Sequence, residues 1–125
     1  MKIYFEGSTD VEVTIQGDLY KITMNWQVEP VDNAPPIDLE VVNDRYQSYV
    51  NDLVGWTREH VHGKELTQQE NLPRETHFPM DHSPTLSNLP AYLMEALIVR
   101  ARPFGLELTQ FSFRVDTGLH VLLVP

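Results

Sequence analysis

The sequence contains no cysteine. That excludes disulfides, a thiolate nucleophile and any zinc site built on sulfur. Long apolar runs are also missing. VLLV at 121–124 is among the longest, far short of the roughly 20 residues a membrane-crossing helix needs. No membrane partner is expected, and without a secretory apolar segment the simplest location is cytoplasmic. Cations are scarce as well: nine Lys and Arg against eighteen Asp and Glu leave a net charge of −9. A balance this acidic argues against nucleic-acid phosphate as a partner, and the scattered carboxylates read as solvated faces. Histidine does not occur before residue 60.

What is present fits one folded domain over residues 1–125. The chain is 42% apolar and 10% aromatic, too rich to stay disordered and long enough to bury a core. KIYFE and VEVTI are strand-like, and VEVTI alternates with a period of two. After the turn signal at Gln16, Gly17 and Asp18, LYKITMNWQVE places Tyr20, Ile22, Met24 and Trp26 on one face. VEPVDNAPP reads as a loop, with Asp38 placed to cap a helix.

From Leu39 the period becomes helical. Leu39, Val42, Tyr46, Tyr49, Val50, Leu53, Thr57 and Val61 recur at steps of three and four, and Gly63 suits the exit. Residues 64–84 show no periodicity and carry Pro73, Pro79 and Pro84, so a long loop is predicted. A second helix follows in TLSNLPAYLMEALIVRAR. Either its first turn is irregular, or Asn88 caps it with Pro90 in that turn. LELTQFSFRV and LHVLLV close the chain as strands around Asp116, Thr117 and Gly118. The fold class that follows is α+β: a four-stranded antiparallel sheet with two helices on one face.

This ββααββ order, with certain words at certain places, resembles the 6-pyruvoyltetrahydropterin synthase and 6-carboxytetrahydropterin synthase family, built on the tunnelling fold. In SPTLSNLPAYLMEAL, the residues Pro84, Thr85, Asn88, Ala91 and Tyr92 match the family's helix start, with Ser87 where glutamate is usual. Ile37-Asp38, HGKELT and VDTG resemble three further family words in the same order. The resemblance implies a homo-oligomer, trimer or hexamer, that binds a small cyclic molecule, pterin-like or other, between subunits. It also implies that Asp116, with Thr117, stands where the family's glutamate-threonine word grips the ligand's amidine-like edge, whereas the residues Asp116-Thr117-Gly118 by themselves read more simply as a turn that needs no ligand.

The family's metal chemistry does not carry over. Gln16 and Asp18 stand in two of the zinc-histidine positions, the third has no counterpart, and the family's cysteine is missing. His62 or Gly63 falls at the histidine of the proton-transfer pair. No metal or other cofactor is therefore expected. His60 and His62 read as a frayed helix end, where imidazoles suit the negative pole. His77 and His82 on the loop could join them only in a rebuilt site. Three readings remain: a metal-independent lyase, cyclase or isomerase using Asp18, His62 and His120 for acid–base chemistry; a non-catalytic ligand-binding or structural protein; and a zinc lyase with relocated ligands.

Overall fold

The computed structural model describes residues 2–32, 36–66 and 85–125. Its first two strands, β1 (Phe5–Ile15) and β2 (Asp18–Pro30), form an antiparallel hairpin in which Ile15 pairs with Asp18. Gln16 and Gly17 both take positive φ, 52° and 86°, the geometry of a two-residue turn whose twist matches its strands. Helix α1 (Leu39–His60) begins where Asp38 accepts hydrogen bonds from the Glu40 and Val41 amides at 3.1 and 3.3 Å. Helix α2 spans Leu89–Ala101 and runs into a 3₁₀ turn, Arg102–Phe104. Asn88 precedes it but caps backwards: its Oδ1 accepts from the Thr85 amide, and Thr85 Oγ1 accepts from the Asn88 amide. Pro90 therefore sits in the first turn, where a missing N–H costs nothing.

The four-stranded antiparallel sheet expected from the sequence is not what forms. The sheet has five strands in the order β3-β1-β2-β4-β5, where β3 is Lys64–Glu65, β4 is Leu106–Val115 and β5 is His120–Leu123. Strand β3 runs parallel to β1, against Val13 and Thr14, so the sheet is mixed. The cause lies just after α1. Gly63, at φ 73°, turns the chain along the β1 edge. There the Gly63 amide donates to Glu12 O at 2.7 Å and the Leu66 amide to Thr14 O at 2.8 Å. An edge strand with free carbonyls recruits the passing chain, although that chain carries no alternation of its own.

One face of the sheet and both helices share a single core. Val11, Val13, Ile22, Met24, Trp26, Phe111 and Phe113 come from the strands; Tyr49, Leu53, Trp56, Leu93 and Leu97 come from the helices. The helices are held to each other by Arg100, which pairs with Asp52 at 3.0 Å and lies 5.1 Å from the Trp56 ring. Tyr49 donates to Leu97 O at 3.3 Å, and burial pushes its phenol well above the usual range. Tyr46 stacks on Phe5 at 4.4 Å and donates to Glu6 O, fixing the start of β1.

The other face of the sheet is polar. Its side chains line up in rows across the strands: Glu12 with Lys21; Asp10 with Thr23, Arg114 and His120; Ser8 with Asn25, Ser112 and Leu122; Glu6 with Gln27 and Gln110. No helix among the described residues is long and apolar enough to cross a membrane.

Candidate functional site

The charged rows of the open face enclose a depression of about 410 Å³. Strand alternation supplies its walls: Asp10 and Glu12 from β1, Lys21 and Thr23 from β2, Arg114 from β4 and Asp116 just beyond it. His62 closes the side at the β1 edge. Two residues singled out in the sequence, His62 and Asp116, thus meet in one place although 54 positions (116 − 62) separate them.

Asp116 is exposed, and its amide donates to Lys21 O at 3.0 Å. The turn that follows is closed by backbone alone, with the Gly118 amide donating to Val115 O at 2.9 Å. Among the described residues the Asp116 carboxylate makes no hydrogen bond or ion pair. An aspartate that merely started the turn would spend its side chain on those amides. Here the turn leaves it spare.

Lys21 and Arg114 are spare in the same sense, forming no ion pair among the described residues. Asp10 is engaged, accepting from Thr23 Oγ1 at 2.7 Å. Among the described residues the depression therefore offers two free carboxylate acceptors, Asp116 and Glu12, and two free cationic donors. A ligand with a donor-rich edge and an anionic or carbonyl group would satisfy both.

His62 is committed differently. The Glu12 amide donates to its Nδ1 at 3.0 Å. With Nδ1 accepting, the proton of the neutral ring sits on Nε2, which makes that nitrogen a donor. In this arrangement Nε2 is a hydrogen-bond donor, with no free lone pair to accept one. His60 does not join it. That ring stays on the last turn of α1, 6.2 Å from the Trp56 ring and 3.8 Å from Glu59.

The remaining expected residues lie apart. Asp18 has the strand parity of Ile22, the opposite face from Lys21 and Thr23. His120 is on the open face opposite Arg114 but outside the lining, and Thr117 is exposed at the tip of the turn. His77 and His82 fall outside the described residues. Among those described, no group of three or more His, Asp or Glu side chains is gathered so as to hold a metal ion. Lys21, Thr23 and Arg114 were not singled out in the sequence. The signal was there: each alternates with a core residue on its strand, and Arg114 lies two positions before Asp116.

No protein-family model matches this chain, and no curated protein matches it.

Proposed function

We propose that this protein binds a small, polar, pterin-like ring compound in the charged depression, without a metal, as a cytoplasmic homo-oligomer. The observation that carries the reading is the spare Asp116 carboxylate beside the spare cations Lys21 and Arg114. Asp116 takes the donor-rich edge of the ring; Arg114, Lys21 and the Nε2–H of His62 take a carboxylate or carbonyl at its other side. The likeness to the 6-pyruvoyltetrahydropterin synthase family supports the ring and supports placing the site near a subunit boundary.

Binding without turnover is the better-supported half of this proposal. Of the acid–base candidates, Asp18 is on the other face, His120 is outside the lining, and His62 is tied as a donor. A metal-independent lyase or isomerase would have to work through Asp116 and the other titratable side chains of the lining, Asp10, Glu12 and Lys21. Calorimetric titration with 6-carboxypterin, which carries both the amidine-like edge and a carboxylate, tests the reading. The expected result is saturable binding, one ligand per chain, weakened about tenfold by Arg114→Gln, as for loss of one charge-assisted hydrogen bond. Absence of saturable binding would remove the pterin-like ligand from the proposal.

A further inference from the structure

Beside the charged depression, along the same face, lies a second one of about 420 Å³. Its chemistry is different. Ser8, Asn25 and Ser112 form one row across β1, β2 and β4; Glu6, Gln27 and Gln110 form the next. Apart from the Glu6 carboxylate, which only accepts, these side chains both donate and accept hydrogen bonds and carry no charge. Leu122, opposite Ser112 on β5 and 71% exposed, adds an apolar wall.

Two observations set this patch apart from an ordinary wetted sheet face. The first is the irregularity in β4. Leu106 and Leu108 face the core, as do Phe111 and Phe113, so the parity of the strand changes between them. The pairing shifts at Gln27 and Val28, and Thr109 donates to Gln27 O at 3.2 Å. Without that bulge Gln110 would share the parity of Leu108 and point into the core; with it, Gln110 joins Gln27 on the open face. Bulges re-aim side chains and are over-represented next to active sites, as they are at sheet edges and barrel rims. The second is that the amides remain available. Asn25 donates to Ser112 at 3.3 Å, which orients both, while Ser8, Gln27 and Gln110 make no side-chain hydrogen bond among the described residues.

We infer that this second depression is a subsite for an uncharged polyhydroxyl group, a sugar ring or polyol. Hydroxyls donate and accept at once, as the amides and serines here do, and the C–H face of a ring would cover Leu122. The inference stands apart from the charged depression and its ligand: each can fail alone.

The side-chain NH₂ resonances of Asn25, Gln27 and Gln110 in ¹⁵N-labelled protein give a direct readout. Titration with D-glucose, D-ribose and glycerol should move them saturably for at least one of the three, while those of Gln47 and Asn51 on the exposed side of α1 stay still. Gln27→Ala combined with Gln110→Ala should raise the dissociation constant at least tenfold and leave the backbone spectrum otherwise unchanged. Shifts that never saturate, that appear equally at Gln47 and Asn51, or that survive the double substitution would overturn the subsite. A parallel titration with 6-carboxypterin reads the charged depression through the Arg114 Nε–H signal. Its success or failure is therefore scored separately.

Discussion

A single atom on Gly7 would disturb the sheet. A Cβ there would lie 2.6 Å from the Trp26 indole, whose ring covers the glycine from the neighbouring strand. Gly7→Ala should therefore cost about 1–3 kcal/mol, the usual penalty of overpacking, read as a lower midpoint in denaturant at constant slope. An unchanged midpoint would mean that the indole moves freely, which its 4% exposure argues against. His62 is the other residue on which much turns. Its Nδ1 is the acceptor for the Glu12 amide. His62→Ala should speed hydrogen exchange at that amide about three- to tenfold, as for one lost hydrogen bond. Exchange at Glu12 equal to wild type would dissolve the tautomer argument. At this scale the sequence was half legible. Asp116 was visible as a candidate, but whether its carboxylate closes the turn depends on backbone geometry that residue types do not encode. Lys21 and Arg114 could have been found by the same alternation that identified Ile22 and Met24 as core.

Elements were legible where a pattern repeats. Helix α1 begins at Leu39 behind its Asp38 cap, as the periodicity and the cap residue require. Strand β3 escaped because two residues cannot show a period, and its partner is 51 positions away (64 − 13): its pairing is a property of the β1 edge more than of KE itself. The bulge in β4 is written in the sequence as a change of parity between Leu108 and Phe111, and can be read once the core face is known. One loop contact is open to titration. The backbone N–H of Asp32 and then Arg45, 3.3 Å away, hold the Asp32 carboxyl below its ordinary range. A lowered value in the folded state favours folding once pH exceeds the unfolded value, about 3.9, and the gain vanishes as pH falls through the folded value. Wild type should thus melt slightly above Asp32→Asn at neutral pH, with the two curves merging in acid. A difference that persists at pH 2 would assign the effect to something other than this charge.

For the whole molecule, a homo-oligomer is what the family resemblance implies and what a sheet with one face and both edges uncovered would call for. That face is bare but polar, and a polar face can meet water. Of those grounds the edge is the one that stands. Strand β5 pairs only with β4 among the described residues, and Leu122 within it and Val124 just after it are 71% and 87% exposed. An unpaired edge with apolar residues is a surface for another strand. Light scattering should give a mass of three or six chains of 14.4 kDa; a monomer at micromolar concentration would confine the binding site to one chain.

The most direct test of the whole account is the affinity of 6-carboxypterin for wild type and for Asp116→Asn, measured under the same conditions. The exchange keeps the size of the side chain and replaces one acceptor oxygen with a donor. Because the turn is closed by the Gly118 amide and Val115 O, the fold and its melting temperature should not change. Binding should weaken by about 1–3 kcal/mol, roughly five- to 150-fold. Equal affinities would contradict the account, leaving Asp116 as a surface carboxylate beside a turn.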